Sequence, residues 1–322
     1  MKSSSRFFPA RLMSAEVYGG LAEDVYLVKP NNSPDKSVEL AVTHVTAVNG
    51  KVPADAKPLV LVHGLYQNKR MWCSDTASLA ESLVSAGFDV WMLELRGHGH
   101  SPVNRLYANN TMADYARYDL PAVNMFVEEQ AGSPVNWLGY GAGGGALLMA
   151  LALRSFDEQS LGQVLGMGIP FYAANWSRVP GVSSLLMARR LRADEGSGPE
   201  PEPMALLANL VKENHWFATR GAFAGVDIWR ELDRLQHRWG WMFSDDSLAS
   251  IDSGFGGLSR GLSQTNLHTS GFSELEFVGA ELYSWLGDKS STSSFVCEID
   301  RLLSLKEKQP DVLPSGEAPS VA

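Results

Sequence analysis

The chain has 322 residues, of which 45% are hydrophobic and 20% charged, values typical of a folded globular protein. Its formal net charge of −9 excludes the basic face that nucleic-acid binding requires. Two cysteines, Cys73 and Cys297, are too few for a disulfide framework. The N-terminus lacks the apolar stretch of a secretory signal, and no run of about 18 apolar residues offers a membrane span. These features predict a cytoplasmic protein without a transmembrane segment.

Apolar strands and helical patterns alternate along most of the first half of the chain. After an alternating strand at 38–45, buried strands are predicted at 59–62, 90–95, 135–139 and 164–169. Helical patterns lie near 74–86, 112–130 and 143–155. This rhythm predicts βαβ crossovers, and therefore an α/β protein whose mostly parallel sheet is covered on both faces.

The most informative motif is Gly139-Tyr140-Gly141-Ala142-Gly143, which follows the strand at 135–139 and precedes a helix of small residues. A strand, a sharp turn and a helix form the context of the G-x-S-x-G nucleophile elbow. Position 141 is glycine, however, and glycine has no side chain that can attack a substrate. The motif predicts the backbone of a hydrolase elbow without its nucleophile.

Two further motifs make the pattern specific. Residues 58–64 form a buried strand that ends in a His-Gly turn, and residues 89–101 form a strand followed by an R-G-H-G-x-S loop. Together with the glycine motif, in this order and spacing, they resemble the α/β-hydrolase superfamily, in particular its bacterial lipase- and esterase-like members. The resemblance implies an α/β-hydrolase fold: a central sheet of about eight mostly parallel strands, with helices on both faces and a helical cap insertion.

The resemblance also implies a domain organisation. It assigns N-terminal strands to residues 1–57, the hydrolase core to 58–171 and 236–305, a helical cap to 172–235 and a disordered tail to 306–322. Apolar cap residues are expected to cover the site; they are Leu185, Leu206, Trp216 and Phe217. Within the cap, residues 193–203 are rich in proline and acidic side chains, and this composition predicts a segment too polar to pack.

Hydrolases of this kind use a serine, an acid and a histidine in that chain order. The resemblance places the serine position at Gly141, the acid at Asp245 or Asp246, and the histidine position at Gly279. No histidine follows His268, which falls within the predicted eighth strand at 266–272. The triad is therefore expected to lack both its nucleophile and its base.

Other residues of the expected site follow from the same resemblance. The oxyanion-binding amides are assigned to Leu65 and Ala142, and His63, Gly64 and Tyr140 are expected beside them. His98 and His100 lie on the loop after the predicted strand at 90–95, at the end of the sheet where ligands of open α/β sheets bind. Their favoured role is to organise this loop. The sequence contains no metal-ligand spacing, so neither a metal nor a cofactor is expected.

Three functions are compatible with these residues. The first is a pseudoenzyme that binds a hydrophobic small molecule or a protein partner without covalent catalysis. The second is a non-covalent enzyme of the lyase, cyclase or hydratase type that uses the oxyanion amides to polarise a carbonyl group. The third is an ester hydrolase with a displaced nucleophile, for which Ser101 and Ser74 are the nearby candidates.

Overall fold

The computed structural model describes residues 4–18, 20–48, 50–73, 78–167, 198–209, 222–223, 226–235, 238–242 and 289–307. Its central sheet has eight strands in the order β1-β2-β3-β5-β4-β6-β7-β10. These strands are β1 Ala10–Tyr18, β2 Leu21–Val28, β3 Leu40–Ala47, β4 Pro58–Val62, β5 Asp89–Glu94, β6 Val135–Tyr140, β7 Leu161–Met167 and β10 Trp239–Met242.

The direction of the strands divides the sheet into two parts. β4 pairs in parallel with both β5 and β6, and β7 pairs in parallel with both β6 and β10. β1, β2 and β3 are joined by antiparallel pairing, and β3 pairs antiparallel with β5. The predicted mostly parallel sheet of about eight strands is confirmed.

Helices connect the parallel strands, as crossovers in a parallel sheet require. They are α1 Leu79–Ser85, α2 Met112–Asp114, α3 Leu120–Ala131, α4 Ala142–Ala152, α5 Ile228–Arg234 and α6 Lys289–Glu307, with a π-helical turn over Tyr115–Asp119 and 3-10 turns at Lys69–Trp72 and Tyr107–Asn109. No helix within the described ranges is both long enough and apolar enough to cross a membrane.

Residues of β4 show that both faces of the sheet are buried. Val60 and Val62 belong to one hydrophobic cluster, which also includes Leu147 of α4. Leu59 and Leu61 belong to a second cluster, with residues of α1 and α6. Because successive side chains of a strand point to opposite faces, helices cover the sheet on both sides, as predicted.

Local sequence sets several element ends. The hydroxyl of Ser78 accepts the amide of Glu81 at 3.1 Å and caps α1, and Thr111 with Asp114 forms a capping box at α2. Gly132, with a φ of 73°, ends α3 in the left-handed conformation that glycine tolerates.

The region predicted as a helical cap is only partly described, and its described part is not all helical. Residues 204–209 are helical, but β8 Ala222–Phe223 and β9 Val226–Asp227 form a small antiparallel sheet that the sequence did not predict. The cap residues Leu185, Trp216 and Phe217 lie outside the described residues, as do the predicted strand at 266–272 and positions 308–322 of the predicted tail.

Candidate functional site

Gly141 forms the turn between β6 and α4. Its φ of 53° and ψ of −121° lie in a region that residues with side chains rarely adopt. The amide of Gly141 donates to the carbonyl of Met167 at 2.9 Å, and its own carbonyl accepts from the amide of Gly145 at 3.0 Å. The strand and helix therefore meet in a sharp bend, and glycine occupies it with little strain.

Two glycines allow this bend to approach the end of β4 closely. A Cβ built on Gly143 would lie 2.3 Å from the carbonyl oxygen of His63, a backbone atom that cannot move aside easily. A Cβ built on Gly64 would lie 2.9 Å from Cδ1 of Tyr140. His63, Gly64, Tyr140 and Gly143 are thus assembled at the carboxyl edge of the parallel strands, where ligands of α/β sheets bind.

His63 is fully buried and neutral. The amide of Leu95 donates to Nε2 of His63 at 3.0 Å, so the proton of the neutral ring must be on Nδ1, which lies 2.8 Å from the carbonyl of Gly64. Burial, helped by the neighbouring His98, lowers the pKa of His63 to about 3. Both ring nitrogens are committed to backbone groups, which leaves this imidazole a structural part of the turn.

His98 is also buried, but its partners favour the charged ring. Its Nδ1 lies 3.2 Å from the carbonyl of Arg96 and its Nε2 lies 3.1 Å from Oε1 of Glu202. Both partners are acceptors, so both nitrogens carry protons. Burial works against the charge, but the hydrogen bond and the negative charge of Glu202 outweigh it and raise the pKa of His98. Its ring centroid lies 5.0 Å from that of His63.

Glu202 belongs to residues 198–203, hereafter the 198–203 segment, which packs on the loop after β4. The amide of Tyr66 donates to Oε1 of Glu202 at 2.7 Å, and the carbonyl of Tyr66 accepts the amide of Glu200 at 3.0 Å. A Cβ on Gly198 would lie 2.1 Å from that same carbonyl oxygen. Two side-chain bonds add to these, Asn68 Nδ2 to Glu200 Oε1 at 2.7 Å and Tyr107 Oη to the Pro201 carbonyl at 2.6 Å.

The expectation that residues 193–203 are too polar to pack is therefore wrong for the described part, 198–203. The expectation considered the polarity of the segment alone and left out the polar partners that the fold brings to it. Glu202 is only 6% exposed, because His98 and the amide of Tyr66 replace the water that its carboxylate would otherwise need. Those partners lie 104 and 136 residues away in the sequence.

The loop after β5 is anchored by a second buried ion pair. The guanidinium of Arg96 binds Asp119 in two bonds, Nε to Oδ2 at 2.7 Å and Nη2 to Oδ1 at 2.5 Å. Burial opposes the charge of Arg96, but the carboxylate of Asp119 overcomes this and raises the pKa of the guanidinium. Asp119 ends the π-helical turn, a geometry that often occurs at functional sites.

Ser101 is not positioned as a displaced nucleophile. Its hydroxyl donates to the carbonyl of Glu94 at 2.6 Å and accepts the amide of Ala41 at 2.7 Å, and the residue is buried. His100, next to it, places Nδ1 2.9 Å from Oε2 of Glu94. This loop therefore ties strands β3 and β5 together, which corrects the hypothesis that Ser101 attacks a substrate.

Some of the remaining predicted site residues lie within the described part of the chain, and others lie outside it. Leu65 packs, partly buried, against the main core and against the cluster of Tyr66 and Leu207. Ala142 is the first residue of α4, so its amide is one of the N–H groups without an acceptor inside the helix. The predicted residues outside the described part of the chain are Ser74, Asp245, Asp246, His268 and Gly279.

The sequence did not single out Glu202, Tyr115 or Asp119. The phenol of Tyr115 is buried without a hydrogen-bond partner among the described residues, and burial followed by the charge of Glu202 raises its pKa well above the ordinary value. The only local signal for Glu202 was the alternation of Glu and Pro at 200–203. Within the described ranges, no group of three or more His, Cys, Asp or Glu side chains is arranged to hold a metal ion.

Comparison of the sequence with known proteins finds similarity to the alpha/beta hydrolase fold family and to lipases. Residues 57–183 match the model of the alpha/beta hydrolase fold family. Lipase member M of Mus musculus is 25% identical over 205 residues, which cover 57% of this chain and 47% of the relative. Tear acid lipase-like protein of Mesocricetus auratus is 27% identical over 183 residues, 54% of this chain and 43% of the relative. The chain thus spans less than half the length of either lipase.

Comparison of structures agrees on the fold. A candidate aryl esterase from Burkholderia cenocepacia superposes with a TM-score of 0.51 at 14% identity, covering 88% of this chain and 100% of the other. Identity this low supports the fold alone. The sheet order, the turn at Gly141 and the family match over residues 57–183 agree, and the chain has an α/β-hydrolase fold.

Proposed function

We propose that this chain is a non-hydrolytic member of its superfamily, which binds a hydrophobic small molecule beside Gly141 without forming a covalent intermediate. The glycine at the turn between β6 and α4 carries the proposal. Acyl transfer needs a nucleophilic side chain and a base within hydrogen-bond reach of it. Gly141 has no atom that an acyl group can modify.

The groups around Gly141 support the absence of triad chemistry. His63 offers no free lone pair, because Nε2 already accepts the amide of Leu95. His98 carries protons on both nitrogens and pairs with Glu202, so it cannot accept another. The assignments of Asp245 or Asp246 to the acid position and of Gly279 to the histidine position belong to the same proposal.

Apolar side chains on and around the loop after β4 support a ligand with hydrocarbon character. Leu65 bridges the main core and the cluster formed by Tyr66 and Leu207, with Met204 packed against that cluster. The matched relatives are named lipases. An apolar site with a few polar groups is the usual form of a small-molecule site.

Labelling experiments test the absence of an acyl-enzyme. The protein is treated with a fluorophosphonate probe and with activated esters, and we expect no labelled serine and no burst of product. Gly141→Ser is the matched variant, and Gly141→Ser with Gly279→His is expected to recover weak ester turnover that neither single change gives. Stoichiometric labelling of any serine in the unaltered chain would contradict the proposal.

A binding experiment tests the ligand. Aromatic and aliphatic esters of increasing chain length are added singly, and the shift in melting temperature is measured. We expect at least one series to raise Tm with increasing chain length, because binding to the folded state stabilises it by mass action. If no ester raises Tm at its solubility limit, the ligand class is wrong.

A second candidate is a non-covalent enzyme that polarises a carbonyl group with the amides of Leu65 and Ala142. The position of Ala142 at the start of α4 favours it, since an amide without an acceptor inside the helix is a suitable donor. Each such donor can contribute about 3–4 kcal/mol to the stabilisation of an oxyanion. Mass spectrometry of the bound compound decides: recovery of the unchanged ester supports binding alone, and a rearranged or hydrated product supports this enzyme.

A further inference from the structure

Glu202 is held by donors that belong to the hydrolase core rather than to its own segment. The amide of Tyr66 lies on the loop after β4, and the imidazole of His98 lies on the loop after β5. Tyr66 adopts a φ of 61°, an unusual value for a residue with a side chain. Both donors therefore lie on loops that leave the ends of two neighbouring strands, β4 and β5.

The fit between Glu202 and these donors is incomplete. Both bonds are made to one oxygen, Oε1, at 2.7 Å from the Tyr66 amide and 3.1 Å from Nε2 of His98. The other oxygen, Oε2, is buried and has no hydrogen-bond partner among the described residues, and the same is true of the Tyr115 hydroxyl. A buried polar atom without a partner is costly, and neither the Tyr66 amide nor His98 satisfies Oε2 of Glu202.

The chemistry of the donors selects an anion with a planar two-oxygen head. A charged imidazole and a backbone amide are the groups that charge-assisted hydrogen bonds to carboxylates use. The Tyr115 hydroxyl has no hydrogen-bond partner among the described residues and interacts electrostatically with Glu202, so it is a third possible donor. Leu207 and Met204 supply apolar surface on the Tyr66 side, which suits a hydrocarbon tail.

We propose that His98 and the amide of Tyr66 form a binding site for the carboxylate of a monocarboxylic acid with an apolar tail, and that Glu202 is the tethered occupant of that site when the acid is absent. A free acid then enters by displacing the 198–203 segment. No atom of Gly141 takes part, so the site is independent of the proposed loss of acyl-enzyme chemistry.

The proposal predicts competition between the tethered and the free carboxylate. A tethered group acts at an effective concentration of millimolar or more, so the unaltered protein should bind a free acid weakly. Glu202→Ala removes the competitor and leaves the imidazole and the amide in place, and His98 takes up a proton as the carboxylate of the acid replaces that of Glu202. We expect the variant to bind octanoate at least tenfold more tightly than the unaltered protein, measured by titration calorimetry at pH 6, where the acid is still ionised.

Two controls isolate the carboxylate. Glu200→Ala alters the same segment, but the Glu200 carboxylate binds Asn68 rather than His98, and we expect no gain in octanoate affinity. Octan-1-ol has the same tail without the charge, and its affinity should not change with any variant. Glu202→Ala/His98→Ala should lose the gain, because the charged donor is gone.

A second measurement tests the proposal even if Glu202→Ala folds poorly. Sodium acetate should raise its Tm or its refolding yield relative to sodium chloride at equal ionic strength, and should have no such effect on Glu200→Ala. The proposal is overturned if Glu202→Ala binds octanoate no more tightly than Glu200→Ala, if octan-1-ol gains equally, or if acetate does not rescue an unstable variant. The Gly141 labelling experiments can fail or succeed without changing any of these results.

Discussion

His63 and His98, whose ring centroids lie 5.0 Å apart, differ in charge: the hydrogen-bond partners favour a neutral ring for His63 and a positively charged ring for His98. His63 accepts a hydrogen bond from the amide of Leu95 and donates one to the carbonyl of Gly64, a pattern that only the neutral ring satisfies. His98 faces a carbonyl and a carboxylate, which both accept, so only the charged ring satisfies them. Burial lowers the pKa of both rings, but only His98 has a carboxylate partner that outweighs burial and raises its pKa.

This difference is directly measurable by nuclear magnetic resonance of the ring nitrogens. We expect His63 to remain neutral, protonated on Nδ1, until the pH approaches about 3. We expect His98 to remain doubly protonated above the ordinary histidine pKa of 6.5, because Glu202 holds the charge. Titration of His63 near 6.5, or a neutral His98 at pH 6.5, would contradict the hydrogen-bond assignment.

The buried pair of Arg96 and Asp119 should be far more important for stability than an exposed pair of the same geometry. Asp119→Asn leaves a buried guanidinium without its counter-charge and should lower the free energy of unfolding by about 3–5 kcal/mol. Glu298→Gln breaks the more exposed pair with Arg301 on α6 and should cost less than about 1 kcal/mol. Denaturant titration measures the free energy of unfolding of both variants. Equal losses would show that Asp119 is accessible to water.

At the scale of elements, the glycines of the elbow decide how closely α4 approaches β4. Gly143→Ala would favour the helix by about 0.5–1 kcal/mol through propensity alone. The added Cβ would lie 2.3 Å from the carbonyl oxygen of His63 and 2.9 Å from Cγ1 of Val62, however, and overpacking of this kind typically costs about 1–3 kcal/mol. We therefore expect net destabilisation, measured as a lower midpoint in denaturant.

Gly132→Ala is the control for this prediction. Gly132 ends α3 at a φ of 73° with no atom within 4 Å of a built Cβ, so its cost is backbone strain without a clash. Backbone strain leaves the elbow unchanged, whereas the Gly143 variant should also move His63 and shift its ring resonances. A Gly143→Ala protein as stable as the unaltered chain would mean that α4 and β4 are farther apart than described.

Elements were predictable from the sequence wherever their cause is local. The apolar run of β6, the glycines of the turn and the small residues of α4 lie within 18 residues, from Val135 to Ala152, so the pattern determines strand, turn and helix together. The 198–203 segment was not predictable, since its order depends on Tyr66 and His98 from distant loops. Composition describes a segment in water, and it does not include partners that the fold brings to it.

At the scale of the whole molecule, the sheet order explains why residues far apart in the chain form one site. β4 lies between β5 and β6 and is parallel to both, so the loops that carry His63, His98 and Gly141 leave the sheet at the same edge. Strand alternation in the sequence predicts parallel strands, but it does not state which strands are neighbours. That order was not predicted and is seen only in the folded structure.

The charge of His98 should be visible in the stability of the whole protein as the pH rises. Its pKa is raised in the folded state, so between pH 6.5 and that raised value the folded chain binds more protons than the unfolded one, and stability falls with increasing pH. The slope is at most about 1.4 kcal/mol per pH unit for one proton. Among the described residues with a shifted pKa, Cys73 and Tyr107, raised to about 11 and about 12, add comparable slopes only above their ordinary values of 9.0 and 10.0.

Glu202→Gln should remove this dependence between pH 6.5 and 9. Among the described residues, Glu202, Glu200 and His63 are charged or titratable side chains that interact with His98. Without the Glu202 charge, burial dominates and the pKa of His98 falls below its ordinary value, so stability no longer declines with pH in this window. Glu200→Gln removes the weaker of the two carboxylate effects and should keep most of the slope. Denaturant titrations at half-unit pH intervals measure all three proteins, and a slope that survives in Glu202→Gln would mean that His98 does not hold its charge through Glu202.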